Sequence, residues 1–139
     1  MSRSIDAIWP IRALRCHRRG VTTTWCELTE TSAIHDRAID LLSDVDSDRR
    51  VDAMLVLGEL VDNARTHGRP PGAARVWRVA AGRRLRVEVR DASSAPPKPQ
   101  VPTLTDLHGR GLLLVEALTS AWGVWQHQRG KTVWAEIPV

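Results

Sequence analysis

Apolar and polar positions follow two different periods along this chain, and the switches between them mark its elements. Residues 21 to 28, "VTTTWCEL", are β-branched and aromatic and predict a strand. In "TETSAIHDRAIDLLSD" the period lengthens. Ala33, Ile34, Ala38, Ile39, Leu41 and Leu42 form an apolar stripe on a helix that Thr29 or Thr31 can cap. After the polar break "DVDSDRR", Ser47 or Asp48 caps a second helix. It runs to about Thr66 and stops at Gly68, with Pro70 and Pro71 beyond.

"AARVWRVAAGRRLRVEVRDAS" returns to a period of two and predicts a hairpin around Ala81-Gly82-Arg83. Leu85, Val87 and Val89 alternate there with Arg84, Arg86, Glu88 and Arg90, giving one dry face and one wet face. From Ala92 to His108 the pattern dissolves among Pro96, Pro97, Pro99 and Pro102. A loop of that length in a compact domain is a functional lid or a disordered segment. "GRGLLLVEALTSAWG" then opens a third helix on a Gly-rich turn, and "VWQHQRGKTVWAEIPV" reads as two strands joined at Arg129-Gly130. The order β-α-α-β-β-loop-α-β-β predicts an α+β fold. About three helices would cover one face of a mixed, mostly antiparallel sheet, as a two-layer sandwich.

Length adds that this is one domain, since 139 residues can bury a core without a disulfide or metal staple. We divide it into a basic, flexible extension at 1–20 and a folded domain at 21–139. Cys16 and Cys26 have no metal-ligand spacing and read as free thiols in a reducing cytoplasm. No run reaches the ~18 apolar residues of a membrane span, and the N-terminus lacks the continuous apolar stretch of a secretory signal. The net charge of +4 resides in the first twenty residues, where Arg3, Arg12, Arg15, Arg18 and Arg19 face only Asp6. The remaining chain is neutral, so nucleic acid is not the expected partner of the body. Trp122, Trp125 and Trp134, three of six tryptophans, are expected to fill the core.

Candidate chemistry begins in the second helix, "GELVDNARTHG". With Glu59 at zero on a helical wheel, Asn63 falls at about 40° and Asp62 at about −60°. Met54, Leu57, Val61 and Ala64 lie on the opposite, core side. An arbitrary helix would carry such a pair as a solvated face. Asn, however, is a mediocre helix former, and a carboxylate and an amide at i and i+4 offer two hard oxygens suited to Mg²⁺ with phosphates. Asp91 continues the inward phase of Leu85, Val87 and Val89. It reads either as a local cap of "DASS" or as an acceptor for a ligand amine, because a buried carboxylate needs a partner. Gly109, Arg110 and Gly111 precede an apolar helix, where free amides favour an anion. A tight turn explains them equally well. "GKT" at 130–132 is not a phosphate loop, for it lacks the upstream glycine and is followed by a strand pattern.

These pieces, taken in order, resemble a known family. "ELVDNARTHG", "VRDAS", "GRGL" at 109–112 and "GKTVWAEIP" at 130–138 match the succession found in the ATPase domain shared by gyrase and histidine kinases. The chain is most similar to the small single-domain branch, the anti-sigma-factor serine kinases and their actinobacterial relatives, over about residues 25 to 139. The resemblance implies the Bergerat ATP-binding fold, with ATP and Mg²⁺ as cofactors and an ATP lid at about 92–108. By position, Asn63 would hold Mg²⁺ and Glu59 would orient or deprotonate the nucleophile. Asp91 would accept from the adenine amine, and Gly109, Arg110, Gly111 and Leu112 would form the phosphate turn. His67 would lie near the phosphates, and Thr132 beside the adenine, bonding Asp91 or its water. One departure is visible. The family's pattern after the adenine-binding Asp is Asp-x-Gly-x-Gly, whereas Asp91-Ala92-Ser93-Ser94 carries no glycine.

The resemblance further implies a cytoplasmic serine/threonine protein kinase acting on an anti-sigma-antagonist protein and holding a sigma factor on another surface. A homodimer is left open. A nucleotide-sensing module without transfer chemistry is the alternative. A basic nucleic-acid-binding accessory protein, resting on residues 1–20 alone, is a distant third.

Overall fold

The computed structural model describes residues 25–93 and 110–139. Strand β1 (Cys26–Glu27) leads through a 3-10 turn (Leu28–Glu30) into α1 (Thr31–Leu41). Then come α2 (Ser47–His67), β2 (Ala73–Val79), β3 (Arg84–Asp91), α3 (Arg110–Leu118), β4 (Ala121–His127) and β5 (Gly130–Pro138). The five strands form one sheet in the order β1-β2-β3-β5-β4. Every pairing among the described residues is antiparallel, which sharpens the expected mixed sheet. The expected lid and the basic extension lie outside the described residues, apart from Ala92 and Ser93.

The helices cover the face on which Leu85, Val87, Val89, Val133, Ala135 and Ile137 point inward, each at most 6% exposed. The core face of α2 is broader than the periodicity suggests. Ala53, Val56 and Leu60 are buried beside Leu57 and Val61, whereas Met54 and Ala64 are only half-buried. In α1, Ile34, Ala38 and Leu42 face the core, but Ile39 is 56% exposed.

Both predicted helix caps shift. The N-cap position of α1 is Glu30, with no side-chain cap, because the 3-10 turn runs straight into the helix and leaves Thr29 within the turn and Thr31 as the first helical residue. Helix α2 is capped by Asp46, one residue earlier than Ser47 and two before Asp48, its Oδ1 accepting from Arg49 N at 3.1 Å. Removing this acceptor leaves an orphan donor. Asp46→Ala is therefore expected to cost about 1 kcal/mol in urea denaturation, with an unchanged m-value.

Cys26 is 1% exposed and disulfide-bonded. This corrects the free-thiol expectation. The chain's other cysteine, Cys16, lies outside the described residues. Disulfides persist in oxidising surroundings, so cysteine usage no longer argues for a reducing compartment.

The tryptophans need a second correction. Trp122 packs against the core, but Trp125 and Trp134 lie on the opposite face of the sheet, which no described helix covers. There guanidinium groups lie over indoles. Arg75 covers Trp25 and Trp77 at 4.4 and 4.9 Å, and Arg86 covers Trp134 at 4.4 Å. Glu88, 2% exposed, binds Arg75 at 2.6 Å and Arg86 at 3.1 Å. Arg90 stacks on Trp25 at 3.6 Å. Burial first, and then the charge of Arg75, push its guanidinium pKa down, with Glu88 opposing. The wet face of β3 is thus a lattice in which charge and aromatic surface cover one another.

Candidate functional site at one end of the sheet

Where α2 and α3 end decides whether the sequence candidates can meet. Near its start α2 touches the far end of β5, through Arg49 Nη1 to Pro138 O. Its other end reaches Asp91, at the opposite end of the sheet. Helix α3 packs on α2, and just after α3 Ser120 N donates to Glu136 O at 2.9 Å. The end of α3 therefore sits at the Pro138 side of the sheet. The last turn of α2 and Asp91 share the other end of the fold.

Gly68 joins these two parts. A Cβ at this position would lie 2.3 Å from Ala64 O and 2.6 Å from Asp91 Cγ. The glycine is needed for close approach, not for a left-handed cap, since its φ is −85°. Two backbone contacts complete the joint: Arg69 N donates to Asp91 Oδ1 at 3.3 Å, and Ala92 N donates to Arg69 O at 2.8 Å. Gly68→Ala must displace the helix end or the carboxyl. It is expected to lower stability by about 2 kcal/mol, read as a reduced urea midpoint.

Asp91 is 3% exposed. Its Oδ1 also accepts from Ser93 N at 2.7 Å, so the local cap of "DASS" is real. Its Oδ2 faces Lys131 Nζ at 3.8 Å, and both side chains are buried. Lys131 was missed as a site residue, although its signal was readable. It continues the inward parity of Val133, Ala135 and Ile137.

The same register moves Thr132 away. Thr132 pairs with Arg90, while Asp91 pairs with Lys131. Adjacent strand residues point to opposite faces, so Thr132 lies on the uncovered face, bonded to His127 Nε2 through Oγ1 at 2.8 Å. The expected contact between Thr132 and Asp91 is thus corrected to Lys131.

Glu59 and Asn63 are both half-buried on α2. Val56, about 60° from Glu59 on the wheel, is fully buried, so this pair borders the core and does not crown a solvated face. Along the axis Asn63 precedes Gly68 by roughly 7.5 Å and Glu59 by roughly 13.5 Å. His67 is exposed on the last turn. Arg110, Gly111 and Leu112 form the first turn of α3, and Gly109 lies outside the described residues. Among the described residues no three His, Cys, Asp or Glu side chains cluster as a metal cage. The hard amide oxygen of Asn63 would suit instead a Mg²⁺ ion that takes its other ligands from phosphate and water, with Glu59 one turn away on the same helix. No described helix is long and apolar enough to cross a membrane.

A five-stranded antiparallel sheet with helices packed on one face defines a two-layer α+β fold. Residues 24–137 match the model of the histidine kinase-like ATPase domain, and the chain belongs to that family. Among solved structures it is similar to the histidine kinase domain of the blue-light activated histidine kinase of Erythrobacter litoralis EL346, with a TM-score of 0.50 and 20% identity. The match covers 81% of this chain and 61% of that one, so this chain spans less than two thirds of its neighbour. A search of curated proteins gave no match.

Proposed function

We propose that the chain is an ATP- and Mg²⁺-binding regulator of the anti-sigma-factor kinase kind, transferring a phosphoryl group to a serine or threonine of an anti-sigma-antagonist protein. The observation that supports it most is the meeting of α2's end with the buried Asp91–Lys131 pair at one end of the sheet, in a chain of the histidine kinase-like ATPase family. Asp91 and Lys131 would receive the base, and the amides opening α3 would face phosphate oxygens. Asn63 would hold Mg²⁺, which supplies charge neutralisation on the phosphates. The partner's hydroxyl oxygen bonds to the terminal phosphorus, the bond to the bridging oxygen breaks, and ADP leaves. Glu59 takes the hydroxyl proton. Positioning and electrostatics carry most of the acceleration in such transfers.

A second reading keeps the pocket and drops the transfer. It is favoured by Ser93 in place of the first glycine, and by a carboxylate already bonded to two backbone amides. Calorimetry with Mg-ATP tests the shared premise. Incubation with terminally labelled ATP and an anti-sigma-antagonist protein separates the readings. Label on the partner supports the kinase, and tight binding without label supports the sensor.

A further inference from the structure

We propose that Lys131 is a specificity-determining residue of the base site, donating a hydrogen bond to N1 of adenine while Asp91 Oδ2 accepts from the exocyclic amine. The inference rests on the nucleotide-binding reading above and adds to it the group that reads the second position of the base edge.

Three observations carry it. Asp91 and Lys131 are directly opposite in the β3–β5 register, so their side chains leave the sheet on the same side. Their charged ends lie 3.8 Å apart, and the side chains are only 2% and 7% exposed. That distance is an ion pair, longer than a hydrogen bond. A buried pair of this kind contributes little stability over apolar residues of similar size, and apolar residues are what β3 and β5 place at the neighbouring inward positions. Finally, Asp91 Oδ1 already receives Arg69 N and Ser93 N, whereas Oδ2 faces Lys131 Nζ.

The pair therefore presents one acceptor beside one cationic donor. Adenine's edge is the complement, an amine donor beside the N1 acceptor. Guanine in the same orientation would set its O6 against Oδ2 and its N1–H against the lysine, acceptor facing acceptor and donor facing donor, so both contacts would be lost at a substantial cost.

The test compares Mg-ATP, Mg-GTP and the 1-deaza analogue of ATP, in which a C–H replaces N1, by calorimetry on the full chain. The wild-type protein is expected to bind ATP about tenfold or more tighter than either competitor, as loss of a charge-assisted hydrogen bond requires. Lys131→Met, similar in length but without donors, should bind ATP and its 1-deaza analogue within about twofold of each other. Equal binding of ATP and the analogue by the wild-type protein overturns the assignment to Lys131 while leaving nucleotide binding intact. Preferential binding of GTP overturns it as well. Absence of any ATP binding overturns both this inference and the function it rests on. The wild-type comparison is decisive even where the variant folds poorly.

Discussion

Asn63→Ala is expected to weaken Mg-ATP binding about a hundredfold, or about 2.8 kcal/mol, while Glu59→Gln changes binding by no more than about threefold. The contrast follows from chemistry. An amide oxygen that ligates the ion bridging the phosphates is used in the bound ground state, so its loss appears in affinity. A carboxylate that accepts a proton is used only as transfer proceeds, so its loss appears in the rate, by about a hundredfold or more. Calorimetry measures the first effect and single-turnover label transfer the second. Both side chains are half-buried at the border of the core, so thermal melts of the variants should accompany the measurements. A Glu59→Gln protein that transfers label at the wild-type rate removes this residue from the chemistry. An Asn63→Ala protein with unchanged affinity removes the proposed ion ligand.

The largest stability effect is expected away from the site, at Glu88. Its carboxylate is 2% exposed and serves two arginines at once, Arg75 and Arg86. Arg86 also reaches Glu136 at 3.0 Å, and Glu136 reaches Arg84 at 3.2 Å. Glu88→Gln keeps the volume but removes the charge, leaving Arg75, Arg86 and the nearby Arg90 less compensated. Breaking one side of a buried pair costs about 3–5 kcal/mol. Arg75 keeps 25% of its side chain in water, which screens part of that, so we expect about 2–3 kcal/mol. Chemical denaturation of both proteins at low and high salt checks it. Because Glu88 is enclosed, the difference should persist at high salt.

Much of the fold was legible because its signals are periodic. The parity of Leu85, Val87 and Val89 gave the inward face of β3, and "GKTVWAEIP" gave that of β5. The same parity applied one step further places Lys131, not Thr132, beside Asp91. The family pattern pulled attention toward the hydroxyl, and the strand rule was the better guide. Helix caps were less legible, because Asp46, Ser47 and Asp48 are all competent acceptors and only the chain path selects among them. The role of Gly68 was invisible in one dimension. Its missing side chain makes room for a carboxyl 23 residues away in sequence, and such an encounter has no local signature. The tryptophans misled for a related reason. Hydrophobicity alone sends them inward, whereas neighbouring arginines make the outer face of a sheet an acceptable place for them.

The joint at Gly68 has a consequence for what the protein can measure. One straight element carries the proposed ion-binding amide partway along its length and, at its tip, is clamped to the acid proposed to read the base. The spacing between those two stations is set by helical rise and not by a flexible loop. With a nucleotide bound as proposed, the element would work as a gauge: a ligand too short to reach from one station to the other would engage only one of them, and the number of phosphates would become a length compared with the fold's own.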